Sequence, residues 1–139
     1  MEKLHVRMIL EILGKPKEHV HESLHLLVKK LGGEQGVSII SAEVHEPKAV
    51  KETPDLFTSF AEVTLSLDSL NTLFGLLFSY MPSNVELIKP EEIVLKNEEV
   101  SLLTSRIVER LHNYDAIAKK LLGERDFVLQ KLREVAPHL

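Results

Sequence analysis

Apolar and polar residues alternate with a period of two over residues 6–13, where Val6, Met8, Leu10 and Ile12 fall on one side of an extended chain. The period then changes. Over residues 17–31, Val20, Leu24, Leu27, Val28 and Leu31 share one helical stripe. Lys29 and Lys30 occupy the last turn, where cations suit the helix dipole, and Gly32-Gly33 follows as a stop. Alternation returns over residues 37–45, with Ile40, Ala42 and Val44 on one face. It is stronger over 57–67, where Phe57, Ala61, Val63, Leu65 and Leu67 oppose Thr58, Phe60, Glu62, Thr64 and Ser66. Residues 46–54 between them are polar, hold Pro47 and Pro54, and read as a connection. Asp68 or Ser69 can cap a second helix running to Tyr80. A fourth strand is predicted over 85–88, with an extension toward Leu95 past Pro90.

The predicted order is β-α-β-β-α-β, which resembles the ferredoxin-like sandwich: an α+β fold with an antiparallel sheet and two helices on one face. The resemblance implies a domain over residues 1–96 and leaves 97–139 as a C-terminal helical extension. It implies no function, because that fold hosts many.

In the extension, Val100, Ile107, Tyr114, Leu121, Val128 and Val135 recur at intervals of seven. Leu103 and Ile117 add to a second column, which Arg110, Glu124 and Lys131 interrupt; Leu111 and Leu132 lie one residue beyond two of the interruptions. Two structures fit this pattern, a long helix with a seam for another chain or a helical hairpin turning near Gly123. Glycine inside a helix costs only about 1 kcal/mol and does not force the turn. The segment carries seven acidic and seven basic residues, so the net charge of −4 lies in the part before it.

The sheet face opposite the helices is expected to show Arg7, Ile9, Glu11, Val37, Ile39, Ser41, Glu43, Thr58, Phe60, Glu62 and Thr64. Ile9, Val37, Ile39 and Phe60 form an apolar cluster within it, which invites a partner. With one aromatic and the acids Glu11, Glu43 and Glu62, this face suits RNA poorly. The pI of about 6.0 points the same way, and no nucleic-acid partner is expected.

Composition narrows the class further. Hydrophobic residues make up 44% and charged residues 27%, the balance of a folded globular chain. There is no cysteine, which excludes disulfides and thiol chemistry. The opening residues lack a signal-peptide layout and the longest apolar run is too short to span a bilayer, so a cytoplasmic protein without a membrane partner is expected. Scarce Gln, absent Cys and Trp, and abundant Glu and Lys give a thermophile-like composition.

Candidate chemistry is sparse. His19, His21 and His25 cluster on the first predicted helix, and the i,i+4 spacing of His21 and His25 could place both on one metal. No further ligand is fixed by spacing. His45 points to the opposite sheet face, so the pair reads as a solvated flank with no metal or other cofactor expected. Gly14-Lys15-Pro16-Lys17 joins the first strand to the first helix, where helix amides and Lys15 and Lys17 could hold an anion. Gly14 with Pro16 is similar to the strand-to-helix corner of ACT-type regulatory domains, which implies a small-molecule ligand there, although the acidic residue those loops often carry is missing. The carboxylate pairs Glu91-Glu92 and Glu98-Glu99 read as structural, and no nucleophile-elbow, phosphate-loop or zinc-protease motif occurs. The chain is therefore expected to be a non-catalytic assembly protein, a homo-oligomer (dimer or higher) or the ligand of a protein partner. It would associate through Ile9, Val37, Ile39 and Phe60 and through Val100, Ile107, Tyr114 and Leu121. The alternatives are an ACT-like sensor module, or an enzyme with a dispersed site drawing on His21, His25 or His45.

Overall fold

The alternating run at the start of the chain becomes β1 (Leu4–Gly14), and the helical stripe after Pro16 becomes α1 (Lys17–Gly32) in a computed structural model that describes residues 2–138. There follow β2 (Val37–Val44), β3 (Lys48–Val50), β4 (Thr53–Leu67), α2 (Leu70–Tyr80), β5 (Asn84–Lys89) and α3 (Asn97–Val135). The chain divides into two units, one running to Val94 and one beginning at Leu95. The first is a mixed α+β unit on an antiparallel sheet ordered β2-β4-β1-β5, with β3 also paired to β4.

Period-two patterning sets the core. Leu4, Val6, Met8 and Leu10 of β1 and Ala61, Val63, Leu65 and Leu67 of β4 are buried together. Leu24, Val28 and Leu31 of α1 and Leu73 and Leu76 of α2 join the same cluster, so both helices serve one sheet face. Each fully buried Leu, Val or Met in such a cluster contributes about 1.5–3 kcal/mol of hydrophobic stabilisation. α2 starts where the sequence placed it: the Ser69 hydroxyl accepts from the Thr72 amide at 3.1 Å. Its C-terminal cap is Met81, in the left-handed region at φ 46°. Gly36 adopts φ +81° in the approach to β2, where a Cβ would meet the Asp68 carboxylate at 2.5 Å. Glycine is required there on both counts.

β2 departs from expectation. Its register against β4 shifts between Ile39 and Ser41, so Ile40 is the extra residue of a bulge and is 53% exposed. One inserted residue reverses the alternation on one side of it. Val37 opposite Leu67 and Ile39 opposite Leu65 consequently face the helices, while Ser41 and Glu43 face away. Val37 is a core residue, and a Cβ on Gly32 of α1 would come within 2.7 Å of Ile39 Cδ1. The expected apolar cluster of Ile9, Val37, Ile39 and Phe60 therefore does not form.

The polar connection also differs. It contains β3, and β4 begins at Thr53, four residues before the alternation becomes visible. Pro54 is tolerated because it falls within the irregular stretch of the β3–β4 pairing, where no ladder amide is needed. β5 ends at Lys89, before Pro90, which cannot donate to a ladder.

The second unit is dominated by α3, a single uninterrupted helix of 39 residues, about 58 Å long at 1.5 Å per residue. It does not turn at Gly123, where nothing lies within 4 Å of an added Cβ. Glu98 and Glu99 occupy its first turn and Arg133 its last, both favourable to the helix dipole. No residue of α3 is buried.

Candidate functional site

The register of β1, β4 and β2 fixes what the face away from α1 and α2 displays. Arg7, Thr64 and Ser41 form one cross-strand row, and Ile9, Glu62 and Glu43 the next. Glu11 opposes Phe60, and the His45 amide donates to the Phe60 carbonyl at 2.9 Å, which extends that row across β4. The rows are polar and acidic around two apolar residues, Ile9 and Phe60.

His45 is the most constrained group on this face. Its ring stacks on Phe60 at 4.2 Å between centroids and 20° between planes. Its carbonyl accepts from the buried Ser59 hydroxyl at 2.6 Å. Main chain and ring are thus held by β4 from two sides. His45 Nε2 points toward Glu43 Oε1 at 3.9 Å, and it is inaccessible to solvent and without a hydrogen-bond partner. Glu43 and Glu62 are direct cross-strand neighbours. One donor atom from each of Glu43, His45 and Glu62 can be chosen so that all three lie within 4.8 Å of one another. Beside them lies a shallow concavity lined by Arg7, Ser41, Glu43, Glu62 and Thr64, and Arg7 pairs loosely with Glu86 at 3.8 Å.

The histidines of α1 do come together. His21 Nε2 and His25 Nε2 are 3.2 Å apart and share a hydrogen bond, with their rings edge to face. Glu46 lies 4.0 Å from His21 Nδ1. His19 turns instead to Ser23, at 3.5 Å. At the strand-to-helix corner, Lys15 and Pro16 line a shallow concavity with Pro54, Asp55 and Phe57. The concavity thus carries one basic and one acidic side chain, Lys15 and Asp55. Gly14 is not sterically demanded, since its Cβ would meet Val20 at an ordinary 3.5 Å, and Lys17 opens α1 without lining the concavity.

On α3 the heptad column lies within one uninterrupted helix. Val100, Tyr114, Leu121 and Val128 are exposed and Ile107 is half-buried. Thirteen of the twenty-two exposed large hydrophobic residues among the described ones belong to this helix, so it, and not the sheet, carries the main apolar surface. No described helix is both long and apolar enough to cross a membrane.

Two features define the class: an α+β domain on a bulged antiparallel sheet, and a single long helix with an exposed apolar stripe. The chain belongs to the MJ0538 family, whose model matches residues 5–130 and so takes in the sheet domain and most of α3. No curated protein and no solved structure matches it.

Proposed function

We propose that the protein is a non-catalytic assembly module that pairs with a second copy of itself through α3, the two helices running antiparallel. The observation that carries this reading is the exposed stripe on a helix with no buried residue. Most helical stability in proteins comes from packing an apolar face, and this face has still to be packed.

Charge favours the antiparallel arrangement. Residues 97–116 hold Glu98, Glu99, Glu109 and Asp115 against Arg106 and Arg110, a net −2. Residues 117–135 hold Lys119, Lys120, Arg125, Lys131 and Arg133 against Glu124, Asp126 and Glu134, a net +2. Antiparallel pairing sets each negative half on a positive half, whereas parallel pairing sets like on like. The helix dipoles agree with the same choice.

A seam follows when Thr104, Leu111, Ala118, Arg125 and Leu132 serve as the second column. This column runs one residue beyond the interrupted one and contains two polar residues in place of three. Antiparallel layers then match Tyr114 with Ala118, Leu111 with Leu121 and Val100 with Leu132, and Arg110 flanks Glu124 of the other helix. Asp115 comes near its own copy, but Lys119 already holds it at 2.8 Å.

In this reading the sheet domain is a ferredoxin-like βαββαβ unit to which β3 has been added. Its support is the order of the remaining elements and the single core that α1 and α2 share.

Because the chain has no cysteine, introduced thiols report orientation without interference. The double variant Leu111→Cys/Leu121→Cys should oxidise to a covalent dimer while each single variant does not. A single Leu111→Cys chain that cross-links efficiently would indicate parallel helices, and a full-length chain that sediments as a 15.8 kDa monomer would remove the proposal.

A further inference from the structure

We infer that Glu43, His45 and Glu62 form a binding site for a divalent transition metal, of which Zn2+ is the natural probe. Three independent features converge on it. The first is the donor set: one imidazole nitrogen and two carboxylates, all within 4.8 Å, which is the nitrogen-and-oxygen combination that zinc accepts. The second is an orphaned nitrogen, a state that His21 Nδ1 shares among the described residues. His45 Nε2 has no hydrogen-bond partner and no solvent access, yet it is directed at the Glu43 carboxylate. A polar atom withdrawn from water is ordinarily satisfied, and a metal ion supplies the missing partner. The third is electrostatic. Glu43 and Glu62 oppose each other directly across β2 and β4, a placement that costs stability when both are charged and nothing lies between them. A dication turns that repulsion into attraction.

The scaffold suits the role. His45 is held by Phe60 on its ring and by Phe60 and Ser59 on its main chain, so one ligand is oriented in advance. Glu43 and Glu62 stand on paired strands, and Glu43 is exposed enough to rotate. Zinc bonds nitrogen and oxygen donors at about 2.0–2.2 Å, which brings tetrahedral donors to about 3.4 Å from one another. The 3.9 Å between His45 Nε2 and Glu43 Oε1 must therefore close by only about 0.5 Å. Three protein ligands leave a coordination position free, and the adjacent concavity with Ser41, Thr64 and Arg7 on its wall has room for water or a small anion there. The inference is independent of the pairing of α3.

The competing account is that a protonated His45 serves as a simple counter-charge for Glu43. Zinc titration of the full-length chain, by calorimetry and native mass spectrometry, separates the two. One ion per chain is expected, with affinity lowered in His45→Ala by more than the ~10- to 100-fold that outer-shell partners alone contribute. Because His45→Ala also removes the stack on Phe60, Glu43→Gln and Glu62→Gln serve as same-shaped variants. Each should raise the melting temperature of the metal-free protein by relieving repulsion, and each should abolish the further rise that zinc produces. The double variant His21→Ala/His25→Ala should bind zinc like the parent. No retained zinc, zinc that survives substitution of His45 and Glu62, or zinc lost with His21 and His25 would each overturn the inference.

Discussion

Replacing Leu111 by glutamine roughly keeps the side chain's volume and a good helix former, and exchanges its apolar end for a polar amide. Leu111 is 60% exposed. Complete burial of a leucine is worth about 1.5–3 kcal/mol, so the part still open to solvent offers about 1–2 kcal/mol on pairing. The symmetric dimer buries it twice. The substitution should therefore cost about 2–4 kcal/mol of dimerisation free energy, a ~30- to 1,000-fold rise in the dissociation constant. Sedimentation equilibrium across a concentration series measures this directly. Phe127 supplies an internal control. It is also 60% exposed on α3, but lies about 160° around the helix at 100° per residue. Phe127→Gln should leave dimerisation within about 0.5 kcal/mol of the parent, as for an ordinary surface change. Equal effects of the two substitutions, or none from Leu111→Gln, would refute a defined stripe and leave only unspecific hydrophobic attraction.

Leu24 is fully buried between α1 and the sheet, and Leu24→Ala should lower unfolding free energy by about 2–5 kcal/mol in urea titration. Ser59→Ala strips the buried donor from the His45 carbonyl, and a loss of about 1–3 kcal/mol is expected from the same measurement. Burial, and then the hydrogen bond and charge of Glu34, raise the Tyr80 hydroxyl above its ordinary pKa of 10.0. The Tyr80 hydroxyl donates to Glu34 Oε1 at 2.7 Å. The folded state holds that proton more tightly than the unfolded one, so the contribution is complete below about pH 10 and is lost as pH rises beyond it. Thermal unfolding followed from pH 8 to 11 should show a decline at the alkaline end that is weaker in Tyr80→Phe.

Elements whose patterning agreed with their burial were legible in the sequence. In β1, Val6, Met8 and Leu10 alternate without interruption and are buried as read. In α1, Val20, Leu24, Val28 and Leu31 mark one stripe and one buried face. β2 misled because an inserted residue leaves no mark in an apolar run: Val37, Ile39 and Ile40 are interchangeable by type, and only the register against β4 tells which is extra. β3 was hidden by its length of three residues, too short for a period. The Glu43–His45–Glu62 group was half visible. The two-residue step from Glu43 to His45 places both on one face, but Glu62 joins them through a cross-strand register that no local pattern encodes. The continuity of α3 past Gly123 was one of two readings the sequence allowed, since a glycine in an exposed helix costs little either way.

β4 bonds along its length to β1, β2 and β3, while β1 and β2 never touch as a pair. A chain emerging from the ribosome therefore exposes β1 and β2 as separate strands until Thr53–Leu67 has been made. When it arrives, partners as distant in sequence as Leu4 and Leu67 come together at once. The joining of β1 to β2 thus waits on one segment, with β5 still to follow, and any chain that stops short of Leu67 carries two strands with unpaired edges, the kind of species that aggregates.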